Sequence, residues 1–121
     1  MVRKRVLVVD DSQTDRQFVT TLLQKQGYEV TTAVDGEDAL AKIAADRPPL
    51  IVLDIILPKM NGYQVLRQLK TAPETRDIKV ILMSSKNQES DRFWGMKQGA
   101  DDYLAKPFPD ETLLAAVARH F

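Results

Sequence analysis

Five polar side chains stand where short apolar runs stop. Asp10 and Asp11 follow Val6 to Val9, Asp54 follows Leu50 to Leu53, Ser84 follows Val80 to Met83, and Lys106 follows Tyr103 to Ala105. Brought together, three carboxylates repel one another, and burying them unpaired is costly enough to force protonation. A divalent cation resolves that conflict. Magnesium (Mg2+) suits such a site better than calcium, because it accepts one or two carboxylates and keeps waters that exchange for phosphate oxygens. With no cysteine in the chain and no histidine near these runs, zinc fits poorly. Beside such a cation, Asp54 has the requirements of a carboxylate nucleophile toward phosphorus. Phosphoryl transfer needs in-line positioning and charge neutralisation more than acid–base help. Lys106 adds positive charge for the phosphoryl oxygens, and the Ser84 hydroxyl can donate to a phosphate once it is attached. That contact exists only in the modified state, which is the requirement for a switch.

Taken one at a time, these residues have ordinary explanations. Asp11 or Ser12 can cap the helix that follows, Asp54 can be a loop carboxylate, Ser84 a cap and Lys106 a solvated amine. The coincidence of all of them at four strand ends is what points to chemistry. His120, a lone residue at the end of the last helix, suits the negative end of the helix dipole and is given no phosphoryl role.

The elements that must position these groups are legible in the apolar pattern. The runs at Val6, Leu50 and Val80 are continuous rather than alternating, as in parallel strands covered on both faces. Tyr103 to Ala105 is a weaker strand, and Glu29 to Ala33 has the look of an edge strand. Between them lie segments with helical spacing: Phe18, Leu22 and Leu23; Ala39, Leu40 and Ile43; Val65, Leu66 and Leu69. Asp110, Leu113, Leu114 and Val117 outline a last helix. Gly27, Pro48-Pro49 and Gly99 supply stop signals. Five strands alternating with five helices predict an α/β fold, a doubly wound five-stranded parallel sheet of flavodoxin-like (βα)5 type. The strand order 2-1-3-4-5 is adopted from the common patterns of such sheets, whose ligands bind at the carboxyl ends of the strands. In that order the five polar residues converge.

The 121 residues suffice for one core, so a single domain over 1–121 with no output domain is expected. Seventeen basic residues balance seventeen acidic ones, which removes the basic excess that drives nucleic-acid binding. The absence of cysteine excludes disulfides, iron–sulfur clusters and a thiol nucleophile. No apolar run has the length of a membrane span, and the N-terminal run is too short for a signal peptide, so a cytoplasmic protein is expected.

These residues also carry a resemblance: the sequence is similar to the CheY-like receiver domains of bacterial two-component signalling. Val-Leu-Val-Val-Asp10-Asp11-Ser resembles the family's acidic-pair segment, and Leu-Asp54-Ile-Ile-Leu-Pro58-Lys-Met-Asn-Gly62 its phospho-acceptor loop. Ile-Leu-Met-Ser84 corresponds to the hydroxyl-bearing end of the fourth strand. Gly99-Ala100-Asp-Asp-Tyr103-Leu-Ala-Lys106-Pro107-Phe108 corresponds to the lysine segment. The resemblance implies magnesium held by Asp10, Asp11, Asp54 and the Ile56 backbone carbonyl. It implies phosphorylation of Asp54 by a sensor histidine kinase or phosphotransfer protein, and later hydrolysis. It makes Ser84 and Tyr103 a coupled switch pair that remodels the face of the fourth helix, fifth strand and fifth helix for a downstream protein. It also implies a cis bond between Lys106 and Pro107, and a monomer in which phosphorylation can drive dimerisation. The sequence departs from the pattern at Ser85, where the family usually has alanine or glycine. Ile56 and Lys86 occupy positions that tune water access. The stretch from Phe93 through Trp94 to Ala100 is similar to twitching-motility regulators; whether Phe93, Trp94 and Met96 pack inward or face a partner is open.

Two other classes share the fold. A magnesium-dependent small-molecule phosphatase with an aspartyl intermediate would carry Asp-x-Asp after its first strand, whereas the pair here is adjacent. A dinucleotide binder would show a glycine-rich loop there, and none follows Val9.

Overall fold

The computed structural model describes residues 4–85 and 89–121; Lys86 lies outside them. Ten elements alternate along the chain: β1 (Arg5–Val9), α1 (Gln13–Lys25), β2 (Glu29–Ala33), α2 (Gly36–Asp46), β3 (Leu50–Asp54), α3 (Gly62–Thr71), β4 (Lys79–Ser84), α4 (Glu89–Lys97), β5 (Asp102–Ala105) and α5 (Asp110–Arg119). All strand pairs are parallel and the sheet order is β2-β1-β3-β4-β5, as expected.

The continuous apolar runs have a simple physical cause. Side chains alternate across each strand, and helices cover both faces, so neither face can be polar. Leu7, Val9, Ile51, Leu53, Val80 and Leu82 point to one side, where Ala39, Ile43, Val65, Leu66 and Leu69 of α2 and α3 meet them. Val6, Val8, Leu50, Val52, Ile81 and Met83 point to the other, against Val19 and Leu23 of α1 and Leu113, Ala116 and Val117 of α5. β2 is an edge strand with alternating exposure.

The starts of α1, α2 and α3 are set by side-chain caps. Of the two candidates before α1, Ser12 takes the role: its Oγ accepts from the Asp15 N–H at 3.3 Å. Asn61 and Gln64 form a reciprocal capping box at the start of α3.

Two details differ from the sequence expectation. Asp54 and Ser84 are the last residues of their strands rather than the first beyond them. Phe18, counted with the helical apolar positions, is 50% exposed; the adjacent Val19 occupies the core with Leu23, because 19 and 23 are one turn apart on the inward stripe.

Candidate functional site

Strand register brings the polar ends together. Val9 lies beside Leu53, Asp54 beside Met83 and Ser84 beside Ala105, so the carboxyl ends of β1, β3, β4 and β5 form one rim. Backbone bonds continue the ladder past it: Ile55 N–H donates to Met83 O at 3.1 Å, and Lys106 N–H donates to Ser84 O at 2.7 Å. The Lys106–Pro107 bond is cis.

Asp10, Asp11 and Asp54 each present a carboxylate oxygen within 4.8 Å of the others. Asp10 and Asp54 are buried and Asp11 is exposed. Each buried carboxylate is oriented by the backbone two residues on: Ser12 N–H donates to Asp10 Oδ1 at 2.9 Å, and Ile56 N–H donates to Asp54 Oδ1 at 2.9 Å. Their other oxygens face Lys106, whose Nζ donates to Asp54 Oδ2 at 2.7 Å and to Asp10 Oδ2 at 3.0 Å. Burial alone lowers the pKa of Lys106, but the bonds to Asp54, Asp10 and Asp15 outweigh it and hold the ammonium above its ordinary value. At Asp54 burial pushes the carboxyl up, with Asp10 adding repulsion, against the pull of Lys106 and the Ile56 N–H.

Room for this strand end comes from Gly62. A Cβ there would lie 2.5 Å from Asp54 O and 2.7 Å from Ile55 Cα. The Gly62 N–H donates to Ile55 O at 2.8 Å, which ties the start of α3 to the Asp54 loop.

Ser84 is fully buried and shares a hydrogen bond with the Tyr103 hydroxyl. The Tyr103 ring is also buried, lying inward against Gly95 of α4. Burial raises the Tyr103 pKa, and Asp91 and Asp54 add to the rise. Ile56 directs its N–H to Asp54 and leaves its side chain 49% exposed. Ser85 is exposed and borders a groove with Asp15, Phe18, Val19, Lys106, Pro107 and Phe108.

Asp15 was not among the residues picked from the sequence. Its Oδ2 accepts a third bond from Lys106 Nζ at 3.1 Å. Asp15 lies in the first turn of a helix rather than at a strand end, so the strand-end pattern passes over it. Its place one turn after Asp11 is the signal that could have found it. Arg16 was missed too; it donates to the Asp10 backbone carbonyl at 2.8 Å.

The carboxylates fit a hard divalent ion: an all-oxygen donor set, already drawn tightly enough for one ammonium to hold two of its members. An α/β sheet with such a cluster, a lysine and a buried hydroxyl at one rim defines a phosphoryl-handling class of protein. Residues 6–118 match the family described as the response regulator receiver domain, and the chain belongs to that family, a receiver of two-component signalling. It is 43% identical over 113 residues to protein PilH of Pseudomonas aeruginosa, which is 93% of each chain. It is 45% identical over 116 residues to PilG of the same organism, covering 96% of this chain and 86% of that one. The chemotaxis protein CheY4 of Vibrio cholerae has a similar structure, with a TM-score of 0.92 at 34% identity over 99% of this chain and 100% of the other. The BeF3-activated DrrB receiver domain gives 0.89 at 34% identity, over 98% and 97%. The small-molecule phosphatase alternative finds no support in these similarities.

Proposed function

We propose that Asp54 is the phospho-acceptor of this receiver domain. The observation that carries the reading is the Lys106 ammonium held 2.7 Å from Asp54 Oδ2, at the centre of a carboxylate group able to hold a divalent ion. An Asp54 carboxylate oxygen attacks phosphorus, the bond from phosphorus to the donor's histidine nitrogen or acetyl oxygen breaks, and the leaving group departs with its electron pair. Asp10, Asp11, Asp54 and the Ile56 carbonyl would hold magnesium, which supplies charge neutralisation at the phosphoryl oxygens. Lys106 can shift one N–H from the carboxylate to a phosphoryl oxygen.

Ser84 links this event to Tyr103. A hydroxyl can accept from the phenol and donate to a phosphoryl oxygen at the same time, so capture of Ser84 by the phosphate would hold the ring inward. The affected surface is the face of α4, β5 and α5, read by a downstream protein. The groove between Phe18, Val19, Pro107 and Phe108 opens beside the site and suits the phosphodonor, a sensor histidine kinase or phosphotransfer protein. The reading includes a place in the cytoplasm and no reaction beyond its own phosphorylation and dephosphorylation. Similarity to PilH and PilG points to a motility pathway.

Intact-mass detection after acetyl phosphate and magnesium tests the assignment. One phosphoryl group is expected on the native chain and none on Asp54→Asn, which keeps the volume and removes the nucleophile. Labelling that persists in Asp54→Asn places the acceptor elsewhere. Lys106→Ala is expected to label but to lose any phosphorylation-dependent change in partner affinity.

A further inference from the structure

We infer that Asp15 is a positioning residue that keeps the Lys106 ammonium over the site when its other carboxylate partners are taken away. The inference rests on the reading of Asp54 as phospho-acceptor. A lysine ammonium has three N–H groups, and here each has a carboxylate: Asp54 Oδ2 at 2.7 Å, Asp10 Oδ2 at 3.0 Å and Asp15 Oδ2 at 3.1 Å. Asp10 and Asp54 belong to the group of oxygens close enough to share a cation, and Asp15 stands outside it. A cation therefore competes with Lys106 for two of its three acceptors, and phosphorylation of Asp54 neutralises one of those two. Asp15 is the acceptor that neither event claims. Without it, a lysine on a flexible four-carbon stem would meet the phosphoryl oxygens only after ordering its own rotamers.

The carboxylate is itself well placed for the task. Its backbone N–H is capped by Ser12 Oγ, which fixes the first turn of α1, and the positive end of that helix favours a carboxylate there. The Asp15 side chain is 48% exposed, so its attraction for Lys106 is partly screened and its influence is moderate. Positioning through Lys106 has the opposite sign from plain charge repulsion. If Asp15 only repelled an incoming anion, removing it would tighten anion binding.

The experiment is calorimetric titration with beryllofluoride at saturating magnesium, and with magnesium alone, on the full chain and on Asp15→Ala, Asp15→Glu, Lys106→Ala and the Asp15→Ala, Lys106→Ala double variant. Asp15→Ala is expected to weaken beryllofluoride binding about five-fold, as loss of a partly exposed charge-assisted bond implies. Magnesium affinity should stay within about two-fold, and Asp15→Glu should recover part of the loss. In the Lys106→Ala background the Asp15→Ala penalty should vanish, because a residue acting through the lysine has nothing left to position. An equal penalty in that background, an equal loss of magnesium affinity, or tighter or unaltered beryllofluoride binding each overturns the inference alone. A native chain that takes no beryllofluoride overturns the reading of Asp54 and this inference with it.

Discussion

The rim of the sheet and helix α4 are built in opposite ways. At the rim, Asp10, Asp54 and Ser84 are buried, and each is held by a backbone or side-chain partner. In α4 Gly95 is the one buried residue, while Phe93, Trp94 and Met96 are 66%, 47% and 40% exposed. All three members of that apolar cluster thus face outward, which resolves what the sequence left open. Gly95 faces Leu82 and Tyr103, and positions 93, 94 and 96 are turned away from it by helical geometry. The Tyr63 hydroxyl adds a long bond to Asp91 O at 3.4 Å. A site that holds charges at fixed distances is locked by packing, whereas α4 is attached through one small residue and a phenol.

Gly62→Ala is the hardest test of the rigid half. The added methyl would overlap backbone atoms of Asp54 and Ile55, which cannot rotate away, so the strand end or the start of α3 must move. A loss of about 3 kcal/mol is expected in urea unfolding, together with loss of beryllofluoride binding. An unfolding midpoint close to that of the native chain would show that the rim is softer than its packing implies.

Asp54→Asn probes the same region with the opposite sign. The folded carboxyl has a raised pKa, so the folded state holds its proton more tightly than the unfolded chain, and this group's contribution to stability falls as pH rises. Without metal, Asp54→Asn should therefore be more stable than the native chain at neutral pH, by about 1 kcal/mol. The advantage should shrink as pH falls through the raised pKa and be gone below the ordinary value of 3.8. Magnesium should reverse the order at neutral pH by stabilising the native chain more. Thermal melts at several pH values, with and without magnesium, check both signs.

The contrast also explains what the sequence could reveal. Strands buried on both faces must be apolar throughout, so Val6 to Val9, Leu50 to Leu53 and Val80 to Met83 were legible, as were the polar groups that end them. Asp15 was not, because its role comes from where Lys106 Nζ reaches across the rim, between residues 91 positions apart. Phe18 misled, because an exposed aromatic beside Val19 shares the helical period of the core. The inward pose of Tyr103 depends on the space left by Gly95, a pairing of α4 with β5 that spacing alone does not show.

At the junction between the two halves, Gly95→Ala should have a smaller effect. Its Cβ would lie 2.9 Å from Leu82 Cδ1 and 3.2 Å from Tyr103 Cδ2, which are side-chain atoms able to give. Alanine also favours the helix by about 1 kcal/mol over glycine, so the net loss should be within about 1 kcal/mol. The measurable consequence is displacement of the Tyr103 ring, seen as a changed tyrosine near-ultraviolet signal. A loss near that of Gly62→Ala would mean that α4 is locked as firmly as the rim.

Phe93→Ser carries the smallest expected effect on stability and the sharpest statement about the exposed half. Phe93 is the most exposed large apolar residue among those described, and its clearest contact is the Lys97 ammonium 5.4 Å above the ring. An exposed cation–π pair contributes about 0.5 kcal/mol, and Phe93 has little core contact to lose. Chemical denaturation should give a midpoint shift worth less than about 0.5 kcal/mol with an unchanged slope. The same variant should lower affinity for a partner that reads the α4 face, while acetyl-phosphate labelling stays intact. A stability loss above about 2 kcal/mol would put Phe93 in the packed structure, and α4 would then belong with the rigid rim rather than against it.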